Sequence, residues 1–353
     1  MRILILGGTG AMGEPLTKKL VELNNSVFVT SRKPHKDDKV WYFCGNAKDD
    51  SFLNNILQDE YDAIVDFMVY STQEFKSRIN LLLNKTKQYI FISSARCYAN
   101  SIKLITEDSA RLVDVSGDSN YLSTDDYSLA KARQENVLYN SSKKNWTIVR
   151  PYITYNAQRL QLGCYEKDYW LYRALHDKTL VLPEDIMNCT TSITFGEDVA
   201  NCITKLIGNK KALGECYTVA TKESHTWKEI LEIYLEIIKK RTGKNIKIKF
   251  IPNSVELYGV CDKYQIAYDR LYNRTFDLTK LEMTIGELNF TSTKEGLDKC
   301  VNDFLESEHY WSNVSSKYEA WSDRRSKEYS SLKEFESLRE KLRYIKWRFF
   351  KKP

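Results

Sequence analysis

The chain has 353 residues, 42% of them hydrophobic and 28% charged, enough for one large domain or two of ordinary size. No apolar run reaches the roughly 18 residues that a membrane span requires, and the first run reads as a buried strand rather than a secretory leader. The formal charge is +6, but the last fifteen residues hold seven Lys or Arg against one acid. The rest is near neutral, so basicity gives no reason to expect a nucleic-acid partner. The eight cysteines are scattered without a CxxC pair, which points to a reducing, cytoplasmic setting rather than a disulfide framework or a zinc site. His35, His176, His225 and His309 lie far apart and in no ligand-like pattern, so no metal site is expected, and no GxSxG or Cys–His signature is present.

The chain opens with Arg2-Ile3-Leu4-Ile5-Leu6 and runs into Gly7-Gly8-Thr9-Gly10-Ala11-Met12-Gly13. An apolar strand, a glycine turn and an amphipathic helix carrying Leu16, Leu20 and Leu23 make the start of a nucleotide-binding βαβ unit. Gly7 allows a sharp turn off the strand. Gly10 removes a side chain where backbone must approach a pyrophosphate. Gly13 lets the helix lie close to the sheet. The helix N-terminus supplies unpaired N–H groups and a positive dipole end, and Pro15 fits in its first turn. Gly7, Gly10, Ala11, Met12 and Gly13 are therefore cofactor-binding candidates.

The second strand, Ser26 to Thr30, leads to Ser31-Arg32-Lys33. In this class of fold that position faces the adenosine ribose. A carboxylate there would favour NAD; a hydroxyl and two cations suit a 2′-phosphate, hence NADP, with NAD the alternative. Residues 40–46 read as a third strand ending at Asn46, placed to meet the adenine edge. A helix follows over 49–57, a fourth strand over 61–68, a helix over 71–84, and a fifth strand over 89–94 ending in Ser93-Ser94. Ser123-Thr124-Asp125-Asp126 can cap a helix from Tyr127 to Tyr139. A sixth strand spans 145–151. This alternation specifies an α/β, doubly wound parallel sheet.

Past Pro151 the rhythm changes. We divide the chain into a dinucleotide-binding domain over 1–155 with returning elements at 186–225, a smaller mixed substrate lobe over 156–185 and 226–304, and a basic, aromatic, helical tail over 305–353. Thr226 caps a helix reaching Lys240. The lobe reads as a lid over the sheet.

Tyr127-Ser128-Leu129-Ala130-Lys131 places a phenol and an ammonium on one helix face. A neighbouring lysine stabilises a phenolate and fits the phenol for proton exchange near neutral pH. Tyr139…Lys143 and Tyr329…Lys333 have the same spacing, but only Tyr127 opens a helix soon after the strand ending in Ser93-Ser94.

With Gly7-x-x-Gly10-x-x-Gly13, Ser93-Ser94-Ala95-Arg96-Cys97-Tyr98, Tyr127…Lys131, Arg150-Pro151-Tyr152-Ile153-Thr154-Tyr155, Ile193 to Ala200 and Phe276 to Lys280 in view, residues 1 to 300 resemble the extended short-chain dehydrogenase/reductases of the NAD-dependent epimerase/dehydratase type, which modify nucleotide sugars. The resemblance implies that Ser94 orients the substrate oxygen, that Tyr127 is the general acid or base, and that Lys131 binds the nicotinamide ribose and tunes Tyr127. Three features depart from the family. Asp66-Phe67-Met68-Val69 stands where His-x-Ala-Ala is usual. Ser94-Ala95-Arg96 stands where 4,6-dehydratases carry Thr-Asp-Glu, which argues against dehydration. The basic tail has no counterpart in the family core.

Three functions follow from the resemblance: a reductase of a nucleotide-linked keto sugar, placed first because NADP suits net reduction; an epimerase using the same three residues; and a non-catalytic NADP-binding regulator. A homodimer is expected. Leu338, Leu342 and Ile345 recur at helical spacing, followed by Trp347, Phe349 and Phe350 among Arg339, Lys341, Arg343, Lys346, Arg348, Lys351 and Lys352. Packing of this stripe on the chain's own body or a second subunit is the favoured expectation, and peripheral membrane contact the alternative.

Overall fold

The computed structural model describes residues 1–308, 310 and 314–350; His309, Lys351 and Lys352 lie outside the described residues. The chain divides into two units. The first comprises 1–154, 192–222 and 275–291, and the second 155–191, 223–274 and 292–353. Residues 275–291, placed in the substrate lobe from the sequence, belong with the first unit, and the tail belongs to the second.

The first unit is built on β1 (Arg2–Leu6), α1 (Gly13–Glu22), β2 (Ser26–Ser31), β3 (Val40–Cys44), α2 (Asp50–Ile56), β4 (Tyr61–Asp66), α3 (Thr72–Asn84), β5 (Thr86–Ile92), α4 (Tyr127–Tyr139), β6 (Trp146–Pro151), α5 (Gly196–Leu206) and β7 (Glu215–Val219). The seven strands form one sheet in the order β7-β6-β5-β4-β1-β2-β3, every pair parallel. This is the doubly wound sheet expected from the sequence. The order reverses direction at β1 and β4, where ligands of such sheets sit beyond the carboxyl ends.

Strand alternation explains why β1 is apolar throughout. Ile3 and Ile5 enter one core with Leu16, Leu20, Val27, Val65 and Val199. Leu4 and Leu6 point the other way, into a core with Leu53, Ile64, Phe75, Ile79 and Phe91. Helices cover both faces, so neither set meets water. Register brings Leu6 level with Asp66 and Ile5 level with Val29. The sixth strand reaches Pro151 beside Val219.

In the second unit, Thr226 caps the helix Trp227–Thr242 in a reciprocal box with Glu229, and Gly243 ends it with φ 73°. A parallel pair joins Leu180–Pro183 to Ile248–Ile251. The tail is partly helical, over Ser316–Ser326 and Leu338–Ile345, and is fastened by buried charge. Arg173, on the helix Lys167–Leu175, donates to Glu319 at 2.7 Å and Asp323 at 2.9 Å. The stripe Leu338/Leu342/Ile345 does not pack as a unit. Tyr344 is buried instead, clustered with Ala320 and Phe335, with Ile345 and Trp347 alongside. Its hydroxyl donates to Asp323 at 2.7 Å and accepts the Ser330 N–H at 2.9 Å. Leu338 and Leu342 are exposed, a departure from the favoured expectation for this chain's own body.

Candidate functional site

The loop after β1 turns at Gly7, whose φ of 72° is left-handed and hence strained for other residues. The Gly7 N–H donates to the Thr30 hydroxyl at 2.9 Å, tying the loop to the end of β2. A Cβ at Gly13 would lie 2.5 Å from the Gly8 carbonyl oxygen. The nearest crowding at Gly13 is with the backbone of Gly8, in the loop that follows β1. At Gly10 a Cβ would meet nothing within 4 Å, so the loop crest borders open space.

That space is a pocket of about 400 Å³ whose wall includes Gly7, Thr9, Gly10, Ser31, Arg32, Asn46 and Met68. Five sequence candidates thus converge there: Gly7, Gly10, Ser31, Arg32 and Asn46. Ala11, Met12, Gly13 and Lys33 are not part of its wall. The Met12 sulfur accepts from the Thr154 hydroxyl at 3.5 Å. Lys33 is exposed, and its N–H donates to Ser31 Oγ at 3.1 Å. The Asn46 side-chain carbonyl accepts the Lys48 N–H at 3.1 Å, leaving the amide NH₂ as the group to present to a ligand. Thr9, Phe67, Met68 and Val69 also line the pocket and were not singled out as binding residues in the sequence.

Tyr127 opens α4. Asp126 alone of the expected capping run caps the helix, accepting the Ser128 N–H at 3.1 Å and its hydroxyl at 2.7 Å; Asp125 instead accepts from Thr72. One turn on, Lys131 is buried. Its Nζ donates to the Ile92 carbonyl at 2.7 Å and the Met68 carbonyl at 3.3 Å, so one ammonium joins the chain just beyond β4 to the end of β5. It lies 6.0 Å from the Tyr127 ring centroid. Burial lowers the Lys131 pKa to about 8, against the opposing pull of the Asp66 and Glu135 carboxylates. Ser94 follows β5 and is also buried; its Oγ accepts the Arg96 N–H at 3.2 Å and retains its own proton to donate. The Arg96 guanidinium sits 5.3 Å over the Tyr127 ring.

Two supports escaped the sequence reading. Asp66 is fully buried, accepting from the Tyr89 hydroxyl at 2.8 Å and the Met68 N–H at 2.9 Å. Burial pushes its carboxyl above the usual range, partly offset by those two bonds. Glu135, one turn past Lys131, accepts from Ser93 at 2.5 Å and from both Arg150 Nε and Nη2, at 2.8 and 2.7 Å. Its only sequence signal was the i,i+4 spacing from Lys131. Among the described residues, no group of three or more His, Cys, Asp or Glu is placed to hold a metal ion.

The sheet order and the glycine turn define a Rossmann-like, doubly wound fold. No family model matches the chain. It is 31% identical over 133 residues to a UDP-glucose 4-epimerase of Lactobacillus helveticus, covering 31% of this chain and 40% of that protein. It is 24% identical over 245 residues to the chloroplast stem-loop binding protein of 41 kDa b of Arabidopsis thaliana, covering 64% of this chain and 60% of that protein. A solved UDP-glucuronic acid 4-epimerase of Bacillus cereus, in complex with UDP-glucuronic acid and NAD, superposes with a TM-score of 0.65 at 18% identity, covering 88% of this chain and all of that one. The chain shares its fold with solved structures described as a dTDP-glucose 4,6-dehydratase and a UDP-glucose 4-epimerase, at 15% and 18% identity.

Proposed function

We propose that the chain is an NAD(P)-dependent oxidoreductase acting on nucleotide sugars, interconverting a ring hydroxyl and a ketone. The observation that carries this reading is the placing of Lys131, whose ammonium is held by carbonyls near the ends of β4 and β5 within 6.0 Å of the Tyr127 ring centroid. In the forward direction Tyr127 gives its phenolic proton to the carbonyl oxygen. Ser94 donates a hydrogen bond to the same oxygen and holds it in place. Lys131 offsets the charge left on the phenolate. When bound, the nicotinamide supplies or accepts the hydride. Gly7, Gly10 and Asn46 would hold the dinucleotide, and Ser31 and Arg32 with Lys33 nearby would meet a 2′-phosphate. The absence of a carboxylate from this pocket's wall, where Ser31 and Arg32 stand, fits NADP; NAD is the alternative.

Reduction of a nucleotide-linked keto sugar is our first reading, because net reduction needs an exchangeable reductant. Epimerisation is the second, favoured by the 31% identity to a 4-epimerase. Both use Ser94, Tyr127 and Lys131. A cytoplasmic site suits the eight free cysteines, and no helix among the described residues is long and apolar enough to cross a membrane.

The test is incubation with a panel of nucleotide sugars and keto sugars, following NADPH absorbance and product stereochemistry. Stoichiometric NADPH loss identifies the reductase; stereochemical inversion without net NADPH loss identifies the epimerase. Tyr127→Phe should abolish turnover and leave dinucleotide binding nearly unchanged. Undiminished turnover in that variant removes Tyr127 from the mechanism. Dinucleotide binding with no turnover on any sugar favours the regulatory protein.

A further inference from the structure

We propose that the end of the tail is a docking surface for anionic lipid, holding the protein at a membrane face without crossing it. The helix Leu338–Ile345 and the wider-wound turn Lys346–Phe350 have two apolar sides with different fates. One is used within the second unit, where Tyr344 is buried with Ala320 and Phe335. The other is bare: Leu338 is 72%, Leu342 58%, Phe349 54% and Phe350 77% exposed.

This bare side is held in a fixed frame. The Arg324 side chain donates to the Trp347 carbonyl and, at 3.1 Å, to the Arg348 carbonyl. Arg348 donates to the Glu328 carbonyl at 3.2 Å and lies 4.5 Å over the Tyr329 ring. Tyr329 itself is exposed and stacks with Phe349 at 6.2 Å. The protein therefore spends ordering interactions on presenting aromatic rings to the outside.

Charge decides the occupant. Residues 338–350 hold Arg339, Lys341, Arg343, Lys346 and Arg348 against Glu340 alone, and Arg339, Arg343 and Lys346 are exposed. A second copy of this chain would bring the same positive charge to the same patch, and like charges repel across a symmetric contact. An anionic lipid surface accepts both features. Leucines and phenylalanines enter the boundary between headgroups and acyl chains while cations stay among the phosphates. The geometry is that of a helix lying in the interface plane.

The experiment uses the full chain and sedimentation with vesicles of phosphatidylcholine alone or of equimolar phosphatidylcholine and phosphatidylglycerol. The protein should pellet with the anionic vesicles and stay in solution with the neutral ones. Raising the salt should release it, because screening shortens the reach of exposed charges to about 3 Å at 1 M. Arg339→Gln with Arg343→Gln should weaken binding roughly 25-fold, about fivefold for each cation near the surface. Leu342→Ser with Phe350→Ser should weaken it further at unchanged charge. Both pairs are exposed, so melting temperatures should stay within a degree or two of wild type, and sugar turnover in solution should not change. No pelleting with anionic vesicles overturns the proposal, as does equal pelleting with both kinds. If instead Leu342→Ser with Phe350→Ser turns a dimer into a monomer by light scattering and vesicle binding is absent, the patch is a protein interface.

Discussion

The buried pair Glu135–Arg150 offers a sharp test of what holds the site together. Arg150 is 1% exposed and Glu135 is fully buried, and they meet at 2.7 Å. Ser93 and Arg111 also donate to Glu135. Replacing Glu135 with Leu strips Arg150 of its counter-charge while leaving the guanidinium in the interior. Breaking a buried pair in this way costs about 3–5 kcal/mol. In a unit of some 200 residues, each kcal/mol lowers the melting temperature by about 2–4 °C, so the loss should be roughly 10 °C. The double variant Glu135→Leu, Arg150→Met removes both charges and should recover at least half of that loss, because a dry apolar pair replaces the ion pair. Urea denaturation of wild type, both single variants and the double variant gives the coupling energy. A Glu135→Leu loss below about 1 kcal/mol, the range of ordinary surface changes, would refute the account. So would a double variant no more stable than the single one.

Lys131 makes a pH-dependent prediction. Its pKa falls from 10.5 to about 8 on burial, so between those values the unfolded chain binds more protons and stability from this residue rises with pH. Relative to Lys131→Met, the cofactor-free wild type should therefore gain up to ~3 kcal/mol across that window; a difference that stays flat with pH contradicts it. Gly13→Ala should cost about 1–3 kcal/mol in urea denaturation, as overpacking does, because the new Cβ would sit 2.5 Å from the Gly8 carbonyl oxygen, on backbone that cannot swing away; unchanged stability would show that the loop gives way. Arg32→Asp should cut the preference for NADPH over NADH about tenfold or more, equivalent to at least ~1.4 kcal/mol, in fluorescence titrations of the two dinucleotides; an unchanged preference would clear Arg32 of any part in 2′-phosphate binding.

The strands were legible because their signal is local. Ile3 to Leu6 is an apolar run that ends in a turn, and the fourth strand carries the apolar stretch Ala63-Ile64-Val65, as strands buried on both faces do. The glycine turn was legible because steric need at Gly7 shows in the residue itself. The buried supports beside the candidate site were not. Glu135 reads as one more polar residue on a helix, and its partners Ser93 and Arg150 lie 42 and 15 residues away. Asp66 reads as a departure from a family pattern, while the bond that serves its buried carboxyl comes from Tyr89 in the next strand. The tail misled for a related reason. Leucines at helical spacing suggest the buried face, yet here a tyrosine takes it, because its hydroxyl finds Asp323 and the Ser330 N–H.

The path of the chain also constrains how the protein can be made. It passes between the two units five times, at 154/155, 191/192, 222/223, 274/275 and 291/292. On the ribosome, β6 emerges with its outer edge unpaired, and β7, which covers that edge, follows only after about 60 further residues have been synthesised, at least three seconds at bacterial rates. Residues 275–291 arrive later still. For that interval an apolar strand offers a row of open hydrogen-bonding groups to any neighbouring nascent chain. Slower elongation would lengthen the exposure, so yield of native protein should depend on translation speed and chaperone supply as well as on final stability. No cut at a single chain position yields a complete sheet unit, so a shortened version requires stitching its three segments together with new loops.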